Sequence, residues 1–214
     1  MKVLKSDILV IGSGAAGLFF SLKASSYADV LIITKKNAAL SNTNFAQGGI
    51  ASVTDRDDSF ELHVEDTIEA GRGLCDRNAV EIMVSEGPGR IEELISLGVR
   101  FSVDRQSGSL AMGREGGHSR SRIIHFGDIT GRELEETLIR ACEGNPSIEI
   151  IESGMAIDLI AGRNGNIEGC LMLERETGKV CACLAKHTVL ATGGAGKIYL
   201  YTSNPDIATG DGIA

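Results

Sequence analysis

At 214 residues the chain can form one large α/β domain or one and a half ordinary ones. Apolar residues make up 43% and charged residues 23%, the balance of a chain that buries a real core, and the formal net charge of −8 argues against a nucleic-acid or anionic-membrane partner. No apolar run approaches the roughly 20 residues needed to span a bilayer, and residues 4–11 are too short and too polar for a signal peptide. In chain order, residues 6–11 read as a buried parallel strand ending in glycine. Residues 14–26 read as a helix with Leu18, Phe19 and Leu22 at core spacing, and 29–33 as a second buried strand. Strand, glycine turn, helix and strand within about 30 residues make one βαβ unit.

Residues 37–53 look like an extended connection with tight backbone packing. Helical periodicity follows over 58–72 and 77–98, the second with an expected break at Gly87-Pro88-Gly89. Residues 99–127 hold an expected hairpin and a loop rich in Gly, Arg and His. Thr130 is placed to cap a helix over 131–143, with Glu133 at the capping-box position. From 148 to 190 strands with turns at 162–165 and 177–178 read as a small antiparallel meander. Residues 186–191 read as one more buried strand leading into Gly193-Gly194. Gly210-Asp211-Gly212 followed by Ile213-Ala214 looks like the start of a helix, so the chain is expected to be a piece of a longer one. The five cysteines form no C-x-x-C pair and no metal spacing with histidine, which points to reduced thiols, a cytoplasmic location and no metal site.

Gly12-x-Gly14-x-x-Gly17, between a strand and a helix, is a dinucleotide-binding fingerprint in its required context. The first glycine permits the tight turn, the second lets backbone approach a pyrophosphate, and the third lets helix pack on strand. Ser13, Ala15 and Ala16 complete the turn, whose free N–H groups face the phosphates. The second strand ends Ile33-Thr34-Lys35, without the acidic residue that usually holds the ribose. Lys35 is then either a contact to a phosphate or adenosine edge or a solvated lysine. The motif alone does not separate FAD from NAD(P).

Four further segments carry a resemblance. Ser41-Asn42-Thr43-Asn44-Phe45-Ala46-Gln47-Gly48-Gly49-Ile50 offers glycine backbone to a planar ring and polar groups to its edge. Gly113-Arg114-Glu115-Gly116-Gly117-His118-Ser119-Arg120 continues through Arg122 and His125 to Thr130-Gly131. Lys186 to Gly194 ends in Ala-Thr-Gly-Gly, and Asn204-Pro205-Asp206 leads to Asp211. Together these resemble the succinate dehydrogenase and fumarate reductase flavoprotein family, and within it the aspartate oxidase branch. The resemblance runs through essentially the whole chain.

It implies an α/β fold: a Rossmann-like FAD-binding domain, parallel sheet with flanking helices, plus a small antiparallel β-meander. The expected organisation is one incomplete domain over 1–214, with a βαβ unit at 6–35, a helical and loop insertion at 55–145, the meander at 148–185 and the FAD strand and loop at 187–214. Capping and C-terminal helical domains are expected to lie outside it. The implied FAD contacts are Gly12 to Gly17, Lys35, Asn42 to Gly49, Ala156 beside Met155, Gly193, Gly194 and Asp211. Asn42 stands where the respiratory enzymes carry a histidine bonded to the flavin, so FAD is expected to be non-covalent. The implied substrate is L-aspartate, with Glu115 at its amino group as a carboxylate would be, and Gln47 and His118 alongside. Arg114, His118, Arg120, Arg122 and His125 would form a positive patch attracting a dicarboxylate.

The implied reaction gives iminoaspartate, passed to quinolinate synthase in NAD biosynthesis, with oxygen or fumarate as electron acceptor. The proton-transfer arginine of the family falls beyond residue 214, so no catalytic residue is named and the chain alone is expected to be inactive. The alternatives are a fumarate reductase or succinate dehydrogenase flavoprotein, a non-catalytic FAD-binding or electron-transfer module, and an NAD-dependent dehydrogenase. A nucleophilic hydrolase lacks its G-x-S-x-G elbow.

Overall fold

A computed structural model describes all residues, Met1–Ala214. Strand β1 (Lys2–Ile11), helix α1 (Ala15–Ala24) and strand β2 (Val30–Ile33) come first. Strand β3 (Ile50–Ala51), helices α2 (Phe60–Ala70) and α3 (Arg77–Ser96), and strands β4 (Met112–Gly113) and β5 (Ile123–Ile124) follow. Helix α4 (Thr130–Glu143) leads into strands β6 (Ile148–Ile151), β7 (Gly154–Ala161), β8 (Ile167–Glu174) and β9 (Lys179–Leu190). The chain divides into two compact units, one of residues Met1–Phe45 with Glu135–Ala214, the other of Ala46–Leu134.

The first unit is a six-stranded sheet in the order β6-β2-β1-β9-β8-β7. Strands β6, β2, β1 and β9 run parallel, whereas β7, β8 and β9 form an antiparallel meander. Leu9, Ile11, Leu31, Ile33, Cys170, Met172, Cys181 and Cys183 form the buried cluster on this sheet, each large side chain contributing about 1.5–3 kcal/mol of burial. The parallel run of apolar residues in β1 and β2 is what a sheet covered on both faces requires. Two expectations change here. Residues 148–151 belong to the parallel half, paired with β2, not to the meander. Residues 186–190 are the end of the long strand β9, whose buried part is Cys181 to Cys183; Leu190 is 52% exposed.

Helix α1 also differs in detail. Its buried face is Gly17, Leu18, Ser21 and Ala24, with Phe19 and Leu22 only partly covered. Small residues at 17, 21 and 24 bring the helix axis close to the sheet. A Cβ on Gly17 would overlap the Gly12 carbonyl, so this closeness is compulsory.

The second unit holds α2, α3 and a small antiparallel sheet in the order β3-β5-β4. The expected hairpin within 99–127 is present as a bridge between Val103 and Leu110. Helix α3 runs unbroken through Gly87-Pro88-Gly89, contrary to the expected break. Proline costs one backbone hydrogen bond there, but Val80, Val84, Ile91 and Leu94 keep one buried face on both sides of it. Helix α4 does not begin with a capping box. The Thr130 hydroxyl accepts from the Phe126 N–H (2.9 Å), the Glu133 N–H goes to the Ile129 carbonyl, and the Glu133 carboxylate is taken by Arg100 at 2.7 and 2.8 Å. A charge-assisted fork outcompetes a single backbone N–H.

Candidate functional site

In the first unit the carboxyl ends of β1, β2 and β9 open on a cleft of about 580 Å³. Such a crevice is where ligands of open parallel sheets bind. Its floor is the turn from Gly12 to Ala16. Gly12 sits at φ +116°, and a Cβ there would overlap the Ala191 carbonyl, so both backbone and space demand glycine. Gly14 is different. A Cβ there would meet nothing nearer than the Thr43 hydroxyl at 3.6 Å, so no protein atom explains this glycine and the open space faces the cleft. Helix α1 begins at this point with no side-chain cap and no acidic residue in its first turn. Its N-terminal N–H groups and positive dipole end are therefore presented to an anion. Only the Ala15 N–H is engaged, by the Thr43 hydroxyl at 3.1 Å.

The walls are Lys35, Leu40, Ser41, Asn42 and Thr43 on one side and Met155 to Leu159 of β7 on another, with Thr192, Gly193 and Asp211 beyond β9. The Lys35 ammonium donates to Asp211 Oδ2 at 2.5 Å and to the Thr209 hydroxyl at 2.6 Å. That hydroxyl donates to Asp211 Oδ1 at 2.6 Å. The Lys35 hydrogen bond, then the one from Thr209, hold the Asp211 carboxyl below its usual range. The glycines on either side of Asp211 seat the turn: Gly210 has φ +78°, and a Cβ on Gly212 would overlap Thr192. The Ser13 hydroxyl is turned inward to Thr34 and the Ala38 carbonyl and is almost fully buried, so at Ser13 only backbone is available to a ligand.

Beneath the Ser41–Asn44 segment lies Glu135 of α4, fully buried, and neither carboxyl oxygen meets a donor in hydrogen-bond geometry. Burial pushes this carboxyl up to about 7, the neighbouring Ser41 hydroxyl and Asn44 N–H offsetting only part of the cost. Asn44 Oδ1 is likewise buried and unpartnered, while its amide donates to the Ala39 carbonyl at 2.6 Å.

In the second unit, the Glu115 carboxylate lies over Gly48, where a Cβ would stand 3.3 Å from Oε1. The spacing thus brings Glu115 to the Gln47–Gly49 segment. Gly49 has a packing reason of its own, since a Cβ would overlap the Ile124 carbonyl of β5. The Glu115 loop closes on itself through Arg114 Nε donating to the His118 carbonyl at 2.9 Å. Arg122 is not part of a positive surface patch. It is fully buried, forked onto Asp58 at 2.7 and 2.8 Å and bonded to Asp66 at 2.5 Å. Burial alone would raise the Asp66 carboxyl, but hydrogen bonds from the Ser119 N–H and hydroxyl and from Arg122 bring it down to about 2. Asp58 is lowered in the same way, by Arg122 against the cost of burial.

Of the residues expected to hold FAD, the cleft gathers Gly12, Ser13, Gly14, Ala15, Ala16, Lys35, Asn42, Thr43, Ala156, Gly193 and Asp211. Gly17 is under the turn, while Asn44, Phe45 and Gly194 do not line it, and Ala46 to Gly49 belong to the other unit. Leu40, Ile157, Asp158 and Leu159 line the cleft without having been foreseen. For the three β7 residues the signal, a register shift between Ala156 and Asp158, is invisible in an alternating strand pattern; Leu40 lies in the loop after β2. Asp58, Asp66 and His63 carry no sequence signal, being far from the loop in sequence and part of no motif.

The FAD binding domain family matches residues 7–214. The chloroplastic L-aspartate oxidase of Oryza sativa subsp. japonica is 47% identical over 211 residues, 97% of this chain and 33% of that protein. L-aspartate oxidase of Yersinia pestis is 43% identical over 98% of this chain and 41% of its own length. The chain therefore spans about a third to two fifths of the curated relatives it matches. Among solved structures, a point mutant of E. coli quinol fumarate reductase FrdA matches with a TM-score of 0.93 and 32% identity, over 99% of this chain and 36% of that one. Mycobacterium smegmatis Sdh1 gives 0.91 and 30%, over 99% and 38%. The uncapped helix terminus, the unexplained space at Gly14 and the cation at Lys35 fit a dinucleotide pyrophosphate, and with the match over nearly the whole sequence they establish that the chain belongs to the FAD binding domain family, with FAD as its cofactor.

Proposed function

We propose that this chain carries the FAD site and part of the substrate site of an L-aspartate oxidase, which converts L-aspartate to iminoaspartate in NAD biosynthesis. The observation that carries the reading is Glu115 lying over Gly48, in a loop that resembles that of the aspartate oxidase branch. A carboxylate pairs with the α-ammonium of aspartate and has no partner in succinate, so it selects for an amino acid. Bound FAD would supply the two-electron acceptor. The chain's own part is to bind and orient. The α1 terminus and Lys35 would hold the pyrophosphate and adenosine side, while Thr43 and Asn42 would meet the cofactor from the cleft wall. Asn42 offers an amide, which does not alkylate, and this supports a non-covalent flavin.

Oxygen or fumarate would reoxidise the cofactor, and quinolinate synthase would consume the iminoaspartate. No helix is long and apolar enough to cross a membrane, and all five cysteines are unpaired. The unpaired thiols support a reducing compartment, the cytoplasm. The likeness to FrdA and Sdh1 favours the second reading, a fumarate reductase or succinate dehydrogenase flavoprotein. Assaying full-length protein with L-aspartate and with succinate separates the two. Glu115→Gln should raise KM for aspartate about tenfold or more, the worth of one charge-assisted hydrogen bond. An unchanged KM would remove the basis of the reading.

A further inference from the structure

Arg122 is the largest fully buried side chain in the protein, and its hydrogen bonds can be counted. A guanidinium has five N–H donors and no acceptor. Nε and Nη2 donate to the two oxygens of Asp58 at 2.8 and 2.7 Å. Nη1 donates to Asp66 Oδ2, and its other hydrogen is directed to His118 Nδ1 at 3.3 Å. Because arginine cannot accept, this contact exists only when Nδ1 is bare. The ring proton of His118 then sits on Nε2.

The neighbours reinforce the arrangement. Asp66 Oδ2 also accepts the N–H and hydroxyl of Ser119, each at 2.8 Å, so the residue after His118 is pinned to helix α2. The Arg114 bond to the His118 carbonyl fixes the segment from the other side. The His63 ring stands 5.8 Å from that of His118 and is itself buried. Burial, then Arg122 and His118, keep its pKa below the usual histidine range, so it brings no competing cation at neutral pH.

We propose that Arg122 is a positioning residue that locks His118 in its Nε2–H tautomer, as a hydrogen-bond donor to a substrate carboxylate beside the ammonium-binding Glu115. The inference rests on the aspartate reading above and deepens it. The opposite tautomer would present a lone pair, which repels a carboxylate. With Nε2–H in place, the loop reads an ammonium through Glu115 and a carboxylate through His118, the two features of an α-amino dicarboxylate.

The test has two arms. In the first, ¹⁵N-histidine NMR of the FAD-loaded chain, with His118→Gln used for assignment, reads the tautomer directly. A His118 with bare Nδ1 and protonated Nε2 supports the proposal; a proton on Nδ1 overturns it, whatever the substrate. In the second, Arg122→Lys in full-length protein keeps the buried charge but loses the fork. A folded variant should show a mixed His118 tautomer and a KM for aspartate raised about tenfold with kcat within a few-fold, the loss of one positioned hydrogen bond. A folded variant with the wild-type tautomer and KM overturns the proposal. Wild-type protein that leaves aspartate unoxidised overturns the substrate reading, and is recognised before any variant is made.

Discussion

The flavin cleft and the Glu115 loop are built from opposite materials. The cleft is made of backbone: a glycine turn at positive φ, an uncapped helix end, and glycines 210 and 212 around Asp211. The loop is held by side chains, with one buried arginine gripping two aspartates 64 and 56 positions away. A site made of backbone tolerates any side chain that stays out of the way and fails when a Cβ is added. A site made of buried charge tolerates backbone change but fails when one partner is lost, because the others are left unpaired in a low dielectric.

The sharpest way to break this contrast is Arg122→Ala. It leaves Asp58 and Asp66 buried without their cation and should cost about 3–5 kcal/mol, read as a lower denaturation midpoint for the second unit by hydrogen exchange or proteolysis. A loss under 1 kcal/mol would mean that the network is not buried in solution. Next is the pH response of the first unit. The Glu135 carboxyl is raised from 4.5 to about 7 in the folded chain, so its contribution is complete below pH 4.5 and is lost as pH rises through 7. The difference is about 3 kcal/mol, and Glu135→Gln should flatten the profile between about pH 4.5 and 7. The second unit should respond in the opposite sense. Asp66 is depressed to about 2, so its stabilisation is present above pH 4 and lost as pH falls towards 2, contributing about 2 kcal/mol.

A smaller effect sharpens the reading of the cleft. Lys35→Ala should weaken FAD binding about 10- to 100-fold, the worth of a charge-assisted contact of 1.5–3 kcal/mol, with little change in apo stability because the Asp211 pair is partly exposed. Isothermal titration decides it. An unchanged affinity would return Lys35 to the role of a surface lysine paired with Asp211.

The same contrast explains what the sequence revealed. Glycine spacing encodes backbone geometry directly, so the βαβ unit and its turn could be read from residues 6–35. Local pattern failed where distant partners overrode it. Gly87-Pro88-Gly89 predicts a break, but the packing of Val84 and Ile91 carries α3 through. The position of Glu133 predicts a capping box, but Arg100 takes its carboxylate. The Arg122 cluster could not be read at all, since Asp58 and Asp66 belong to no motif and Arg122 looked like one more surface charge. The phosphate-binding turn was legible because its chemistry lies in one short segment, Gly12 to Gly17; the far wall of the cleft and the grip on the loop were not, because both are assembled by folding.

The most direct test of the account is anaerobic addition of L-aspartate to the flavin-loaded, full-length protein. Bleaching of the oxidised flavin band by aspartate, with succinate leaving it intact and Glu115→Gln slowing the bleach, is the predicted result. A flavin bleached by succinate but indifferent to aspartate, or one that Glu115→Gln reduces as fast as the wild type, would contradict it.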